Sequence, residues 1–223
     1  MSKYFHDTSA QVQFLIEQLQ ITQTQAGLDI GFGSGVHLQG LREKGIYVEG
    51  VDIEESKIPN TLKGDVFELE LEADRYDFAY CLSPYFGEKW WEIERFFAQV
   101  YKLLKNNGKF VLDLNNFRSI PEHTTIFRWN KQPEQVMVNH IQRLPDRFTG
   151  TRLLIKPNLE VEEIPLLWRI FTEEEITNLA KKYNFRISKV FGGFQEEKVD
   201  WNPNKQKTRI IVLLEKIESG SKN

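Results

Sequence analysis

A glycine-rich turn between an apolar run and a predicted helix carries the most distinctive chemistry of this sequence. Residues 28–35 read LDIGFGSG, with glycines at Gly31, Gly33 and Gly35. Glycines at such a junction let the backbone pass close to a ligand, and the helix start offers free N–H groups. Asp52 follows at the end of the next predicted strand, where a carboxylate can accept both hydroxyls of a ribose. The combination predicts a cofactor that contains a nucleoside.

Details of the turn narrow the choice of cofactor. The dinucleotide pattern G-x-G-x-x-G requires a glycine where this chain has Val36, and the sequence lacks the Gly-Lys-Ser/Thr of a triphosphate-binding loop. Asp29, just before the first glycine, would repel a pyrophosphate. Its carboxylate can instead hold the ammonium group of an amino-acid moiety, directly or through water.

Alternating strand and helix patterns must position these residues. Strand, helix and strand repeated at this spacing predict βαβ units, with a parallel sheet and helices on both faces. The predicted elements are a first helix capped by Thr8, helices that span 34–44 and 88–104, and strands at 26–30, 47–51, 62–65, 76–82 and 109–114.

The alternation of strand and helix patterns stops between residues 124 and 170. Four short β-prone runs separated by turn residues indicate an antiparallel meander inserted in an α/β domain. A capping box at Thr172 and Glu175 then begins a helix that runs to about residue 183. The four runs are 124–129, 135–141, 147–155 and 159–170, and two strands follow the helix at 185–191 and 208–217.

Five segments, in order, resemble the motifs of class I S-adenosylmethionine-dependent methyltransferases. LDIGFGSG is similar to the first motif and VEGVDI to the second, while residues 62–66 resemble the segment whose Asp contacts the adenine amino group. YDFAYCLSPYFG resembles the fourth strand and its loop, and LLKNNGKFVLDL resembles the fifth strand with the helix end before it. The likeness covers most of residues 24–115, and 172–217 resembles the closing helix and hairpin.

This resemblance implies an α/β fold with a doubly wound, seven-stranded, mostly parallel sheet whose last strand, 208–217, is antiparallel. Residues 1–223 would form one Rossmann-like methyltransferase domain with an antiparallel β insert at 117–170 as a substrate lid. Residues 218–223 would form a flexible tail.

The resemblance also implies S-adenosyl-L-methionine as the cofactor, lying across the carboxyl ends of the strands. Phe32 stands where many family members have a small residue, and its ring would narrow the pocket unless it points into the helix. The implied contacts are Asp29, Gly31, Phe32, Gly33 and Gly35 around the methionine part, Asp52 at the ribose, Ile53, Asp65 and Val66 around the adenine, and Cys81 and Leu82 near the sulfonium.

Candidate acceptor residues follow the fourth predicted strand. The loop lacks the Asn/Asp-Pro-Pro-Tyr/Phe sequence of enzymes that methylate amino groups of nucleic acids and release factors. In-line transfer from a sulfonium needs alignment more than a fixed set of catalytic residues. Ser83, Tyr85 and Phe86 are therefore candidates for substrate binding, and Tyr85 also for catalysis. Alternatively, Tyr85 and Phe86 cap the hydrophobic core.

Two residues nearer the end of the chain are further candidates. His140, in an otherwise apolar strand of the insert, is a candidate catalytic base, and Arg169 is a candidate substrate contact. The alternative for each is a hydrogen-bonded or solvent-facing side chain without a role in the reaction.

Charge and composition limit the class of partner. The chain has 29 Lys+Arg against 32 Asp+Glu, so it lacks the basic excess usual for nucleic-acid-binding proteins. Residues 117–156 have a local excess of Lys and Arg, which suits an acceptor with a carboxylate or phosphate. A solvated sheet face explains that excess equally well.

The single cysteine, Cys81, excludes an internal disulfide, and the scattered histidines argue against a metal site. No apolar run approaches the length of a membrane span. We therefore predict a cytoplasmic, metal-independent monomer or homodimer that methylates a small molecule, with no membrane partner and a nucleic acid disfavoured. The alternatives are a methyltransferase of RNA or protein and a non-catalytic module that binds S-adenosylmethionine.

Overall fold

The computed structural model describes residues 7–115, 120–194 and 209–218. Its helices are α1 (Thr8–Leu19), α2 (Val36–Glu43), α3 (Ile93–Leu103) and α4 (Glu173–Lys182), with a 3-10 helix at Gly87–Glu92. Its strands are β1 (Ala26–Ile30), β2 (Tyr47–Asp52), β3 (Thr61–Lys63), β4 (Tyr76–Cys81), β5 (Leu104–Asn115), β6 (Thr125–Gln132), β7 (Gln135–Arg143), β8 (Arg147–Ile155), β9 (Val161–Arg169), β10 (Phe185–Phe191) and β11 (Arg209–Lys216).

Seven of these strands form the main sheet, in the order β10-β11-β5-β4-β1-β2-β3. β11 is antiparallel to both of its neighbours, β5 and β10, whereas β1, β2, β3, β4 and β5 pair in parallel. The predicted mixed sheet with an antiparallel last strand is confirmed. The carboxyl ends of β1, β2, β4 and β5 therefore lie along one edge, where open α/β sheets bind ligands.

Apolar side chains from helices on both faces cover this sheet. α1 and α2 pack on one face through residues such as Leu15 and Leu38. α3 and α4 pack on the other through Phe96, Phe97 and Ile176. Because both faces are covered, buried apolar residues predominate in the central strands, with a few buried acids such as Asp29, Glu49 and Asp113 among them.

The insert is a second sheet of four antiparallel strands, in the order β6-β7-β8-β9. This confirms the predicted antiparallel insert. β9 packs against the 3-10 helix that follows β4, so the insert is attached near the carboxyl edge of the main sheet.

Asp7, rather than the predicted Thr8, caps α1, since its side chain accepts the Ala10 N–H at 3.1 Å. Two predicted boundaries differ by about five residues from those of the structure, and the others differ by less. The predicted helix 88–104 is a 3-10 helix followed by α3, and the Trp90 carbonyl at this junction accepts a hydrogen bond from Arg169 at 3.4 Å. β5 begins at Leu104 rather than at residue 109, because Leu104 pairs with Tyr76 before a shift in register. Tertiary contacts override the local signals in both places.

The first residues of the predicted insert, 117–119, and residues 219–223 of the predicted tail lie outside the described part of the chain. Within that part, no helix is long and apolar enough to cross a membrane.

Candidate functional site

The glycine turn after β1 is open on its ligand side. Gly31 has a φ of 71° and Gly33 a φ of 53°, a region of backbone space that L side chains rarely adopt. No heavy atom outside the neighbouring residues lies within 4 Å of where a side chain would begin at either position. The turn therefore exposes bare backbone to a ligand at the carboxyl end of β1.

Asp29 places a buried carboxyl group beneath this turn. Only 3% of the residue is exposed, and its Oδ2 atom has no hydrogen-bond partner within the described chain. Burial raises the pKa of Asp29 to about 8, against the opposing influence of the nearby Tyr80 hydroxyl. That hydroxyl is itself buried and has no hydrogen-bond partner within the described chain. A buried, unpaired acid is well suited to receive a cation.

Asp52, at the end of β2, is bonded to the same turn. Its Oδ2 accepts the Gly33 N–H at 2.8 Å, and its Oδ1 accepts the Glu54 N–H at 3.0 Å. Each carboxylate oxygen has a second lone pair for a ribose hydroxyl. Ile53, which follows, is 64% exposed and can pack against an adenine ring.

Phe32 points away from the open side of the turn. Its buried ring packs with Leu38 of α2 in the core and lies over Gly50 of β2. A side-chain carbon at Gly50 would lie 2.6 Å from the Phe32 Cδ1 atom. The ring therefore occupies the space left by a glycine and does not narrow the turn.

The predicted adenine contacts have partners of their own. The Oδ1 atom of Asp65 accepts the Phe67 N–H at 2.9 Å, and its Oδ2 accepts from Lys89. Lys89 also pairs with Glu68 at 2.9 Å. Val66 is buried in the core. A ligand that reached Asp65 would therefore meet Lys89 as well.

Cys81 and Leu82 lie where β4 ends. Cys81 is fully buried, and burial raises the pKa of its thiol well above the ordinary value. Leu82 is half-buried against the cluster on the α1 and α2 side. Both residues are therefore apolar groups at the carboxyl end of β4, with Leu82 partly exposed and Cys81 enclosed.

Ser83 is fixed by two charged residues that the sequence analysis did not select. Its N–H donates to Asp113 Oδ2 at 3.0 Å, and its hydroxyl accepts from Arg209. Arg209 also pairs with Asp113. The sequence holds one indication of this role: Asp113 is the only charged residue in the apolar run FVLDL of β5.

Tyr85 and Phe86 separate into two environments. Tyr85 is 46% exposed, its hydroxyl donates to the Pro165 carbonyl at 2.6 Å, and its ring meets Trp168 of β9 at 5.6 Å. Phe86 packs instead against core rings, including Trp90 at 4.6 Å. Tyr85 therefore joins the loop to the insert, whereas Phe86 supports the core.

Arg169 joins elements at the base of the insert. Its guanidinium pairs with Glu175 of α4 at 2.7 Å and lies 4.8 Å from the centre of the Phe171 ring. Glu175 is the partner in the capping box that Thr172 forms, as predicted. These contacts use Arg169 to attach β9 to α4.

His140 lies on the opposite face of the insert from Trp168. It stacks on Phe127 at 4.5 Å and stands opposite Thr151, which in turn stands opposite Pro165. Pro165 and Trp168 are three residues apart on one strand, so their side chains point to opposite faces. The structure thus brings Asp29, Asp52, Ser83 and Tyr85 to one edge and leaves His140 outside this group.

Arg42 is a further residue that sequence reasoning missed. Its guanidinium donates to the carbonyls of Val48, Pro59 and Asn60, with the Pro59 bond at 2.7 Å. It therefore holds the segment between β2 and β3, which contains Ile53. Nothing in the local sequence distinguishes Arg42 from an ordinary charge near a helix end.

The residues at this edge fit a nucleoside that carries a positively charged amino acid. Asp29 offers an unpaired acid for the ammonium group, the turn offers open backbone, and Asp52 offers carboxylate oxygens for the ribose. No group of three His, Cys, Asp or Glu that could hold a metal ion occurs among the described residues.

Comparison with known proteins agrees with this chemistry. Residues 28–112 match the family described as "Methyltransferase domain". An uncharacterized methyltransferase of Bacillus subtilis (strain 168), YdaC, is 27% identical over 130 residues, which span 52% of this chain and 71% of that protein.

Solved structures share the whole architecture at low identity. A S-adenosylmethionine-dependent methyltransferase from Clostridium acetobutylicum ATCC 824 superposes with a TM-score of 0.79 at 17% identity, covering 96% of this chain and 94% of that one. The amino pentose methyltransferase CalS10 of Micromonospora echinaspora, solved with its cofactor bound, gives a TM-score of 0.65 at 16% identity and covers 96% and 92% of the two chains. At such identities the likeness describes the fold.

Proposed function

We propose that this protein is a class I S-adenosylmethionine-dependent methyltransferase and that its acceptor is a small molecule held between Ser83, Tyr85 and the insert sheet. The match of residues 28–112 to the methyltransferase family and the similarity to YdaC support methyl transfer as the reaction. The contact of Tyr85 with Pro165 and Trp168 is the observation that carries the proposal. It attaches the insert directly above the loop that ends β4. Because the insert covers the loop close to the proposed site of methyl transfer, a compact acceptor fits this site better than a folded macromolecule.

The chain's own residues supply binding and alignment. S-adenosylmethionine supplies an activated methyl group when bound. We propose that Asp29 attracts its ammonium group, that Asp52 accepts hydrogen bonds from its ribose, and that Leu82, next to the buried Cys81, provides apolar surface near the sulfur. Alignment and exclusion of water at this edge are what an in-line displacement needs from the protein.

Ser83 and Tyr85 are the acceptor contacts that this proposal retains. The Tyr85 oxygen donates one hydrogen bond to the insert and can still accept one from an acceptor. Phe86, Arg169 and His140 have other partners in the structure and take no part in the proposed reaction.

Basic residues on the inner face of the insert favour an acceptor with an anionic substituent. Arg128, Asn139, Arg152 and Ile164 stand opposite one another across the four strands. Ile164 lies four residues before Trp168, so this row shares the face that meets Tyr85. Arg152 is held in place by a 2.8 Å hydrogen bond from its Nε to Asn139 Oδ1.

We also propose the cytosol as the compartment of this protein, since the described chain holds one free, buried cysteine.

The first experiment measures binding of S-adenosylmethionine and its demethylated product by calorimetry, followed by methylation of a small-molecule panel. Amino sugars and other amines head the panel because CalS10 is described as an amino pentose methyltransferase. Each acceptor is paired with a carboxylate- or phosphate-bearing analogue. We expect turnover of at least one small acceptor and a preference for the anionic member of its pair.

Two variants test the preference for anions. Arg152→Met should reduce the ratio of kcat/KM for anionic over neutral acceptors about tenfold, since a charge-assisted hydrogen bond is lost. The control Lys156→Met removes a charge of the insert that already pairs with Glu160 and should leave the ratio unchanged.

Absence of cofactor binding at millimolar concentration contradicts the proposal. Salt-sensitive methylation of RNA, with every small molecule inactive, would replace it by the macromolecular alternative.

A further inference from the structure

A buried ion pair lies directly behind the loop that follows β4. Asp113 of β5 is 0% exposed, and Arg209 of β11 donates to both of its carboxylate oxygens, with 2.8 Å between Nε and Oδ1. The Ser83 N–H donates to the same carboxylate at 3.0 Å, and Arg209 donates to the Ser83 hydroxyl. One carboxylate thus connects two strands and the loop.

Ser83 has a backbone conformation that needs such support. Its φ is 53°, in the left-handed region that favours glycine. A serine remains in this region where surrounding groups hold it. The bonds from Ser83 to Asp113 and Arg209 fix both its main chain and its side chain.

The shape imposed at Ser83 determines where Tyr85 lies. Tyr85 is two residues further on and bonds to Pro165 O while its ring meets Trp168. A continuous path of contacts therefore runs from Arg209 through Asp113 and Ser83 to the insert.

We propose that Asp113 and Arg209 are positioning residues for the acceptor, which fix residues 83–85 and, through Tyr85, hold the insert above them. The inference rests on the proposed function, because it takes this loop as the acceptor contact. The hydrogen bonds of the pair run to each other and to Ser83, whereas Asp52 is bonded to the glycine turn. Weakening the pair should therefore impair acceptor binding and leave cofactor affinity nearly unchanged.

The same strand offers a matched control for a merely structural role. Lys216 of β11 is 4% exposed and bonds to Asp74 Oδ1 at 2.7 Å and to the Leu104 carbonyl at 2.5 Å. It lies at the other end of β11 from Arg209. Lys216→Met therefore removes a buried cation from the strand without touching the loop.

Hydrogen–deuterium exchange of the full chain, without acceptor, tests the anchoring. In Asp113→Asn and Ser83→Gly, amides of residues 82–86 should exchange about tenfold faster than in the wild type, because the loop opens locally. Lys216→Met should leave these amides at the wild-type rate. Ser83→Gly is the safe variant if Asp113→Asn fails to fold, since its backbone conformation suits glycine. Unchanged exchange in Ser83→Gly overturns the inference.

Steady-state kinetics test the link to the acceptor, with the panel member that the wild type methylates fastest as the probe. Asp113→Asn and Ser83→Gly should raise the acceptor KM about tenfold while the calorimetric Kd for the cofactor stays within about twofold. Lys216→Met should change neither constant. If an active wild type gives variants with an unchanged KM, or variants whose cofactor affinity falls equally, this inference alone fails. A wild type that methylates nothing refutes the proposed function and the acceptor role together.

Discussion

The carboxyl group of Asp29 has an environment that reverses its usual behaviour near neutral pH. With its pKa raised to about 8 by burial, it is largely protonated at pH 7 in the cofactor-free protein. An ammonium group beside it favours the charged carboxylate and therefore lowers that pKa. Binding of the cofactor is then coupled to the release of a proton from this site.

Cofactor affinity should consequently rise with pH. Between pH 6 and 7.5 the protein must lose a proton before it binds the cation well, so the association constant should increase by about tenfold per pH unit. Above about pH 8 the gain ends, because the α-amino group of the ligand itself deprotonates near 7.7–8.0. Calorimetry at pH 7 in buffers of different ionisation enthalpy counts the protons released, and we expect close to one.

Two variants assign that proton. Asp29→Asn should weaken binding at pH 7.5 and abolish its pH dependence in this window. Tyr80→Phe removes a hydroxyl that lowers the Asp29 pKa, so it should move the window to higher pH. Equal binding enthalpies in all buffers for the wild type would show that no proton is exchanged and that Asp29 is not the titrating group.

Spacing in the sequence was sufficient to propose Asp29, the glycines and Asp52 as one site, because they lie in one local strand–turn–helix pattern and at the end of the next strand. It was insufficient for Asp113 and Arg209, which are 96 residues apart in sequence and meet only when β11 pairs with β5. Their roles as contacts between elements exist only in three dimensions.

At the scale of elements, α2 contributes at both of its ends: it follows the glycine turn, and its last turn contacts the segment between β2 and β3. Its last-turn residue Arg42 holds the segment between β2 and β3 by bonds to the Pro59 and Asn60 carbonyls, at 2.7 and 3.2 Å. Ile53, the exposed residue proposed to meet the adenine, belongs to that segment. The helix thus contributes to both ends of the proposed cofactor site.

Removal of the Arg42 hydrogen bonds should make the segment between β2 and β3, which contains Ile53, more mobile. In Arg42→Met we expect faster amide exchange in residues 53–60 and cofactor affinity about tenfold weaker, because several hydrogen bonds from a charged donor are lost. Lys44→Met, a change of an exposed residue at the end of the same helix, is the control. Wild-type affinity in Arg42→Met would show that the segment keeps its shape without these hydrogen bonds.

Element boundaries were predicted well where the signal was local. The capping box at Thr172 starts α4 as predicted, and β10 has the predicted bounds. The helix after β4 was predicted too long, since periodicity alone cannot register the bond from Arg169 to Trp90 O that accompanies its 3-10 first part. Side-chain hydrogen bonds between distant elements decide such details.

For the whole molecule, Glu49 links strands that are not neighbours. From β2 it accepts hydrogen bonds from Tyr76 of β4 at 2.6 Å, past the intervening β1, and from Tyr47 at 2.6 Å, and it pairs with Arg75. Burial alone would raise the Glu49 pKa, but the hydrogen bonds of both tyrosines and the Arg75 charge outweigh it and lower the pKa. Such a group stabilises the fold above the pKa of the unfolded chain, and that stability is lost as pH falls through the lowered value.

Glu49→Gln should therefore lower the free energy of unfolding at pH 7 by about 2 kcal/mol, since the buried Tyr76 hydroxyl and two more exposed donors lose a charged partner. The difference from the wild type should shrink as the pH falls below the ordinary glutamate pKa, because the stabilisation by the Glu49 carboxylate is lost as the pH approaches its lowered pKa. Urea unfolding at a series of pH values measures both effects. Glu94→Gln, which breaks an exposed pair with Lys182, should leave stability nearly unchanged. A Glu49→Gln protein as stable as the wild type at pH 7 would contradict this role.

The contact between Phe32 and Gly50 makes two positions share a single volume. Because a side-chain carbon at residue 50 would lie 2.6 Å from the Phe32 ring, the size of one residue limits the size of the other. In related chains these two sites should covary, with a small residue at the first permitting a larger one at the second. Redesign of the turn must therefore change the two residues together: a smaller side chain at Phe32 is needed before a larger one can replace Gly50.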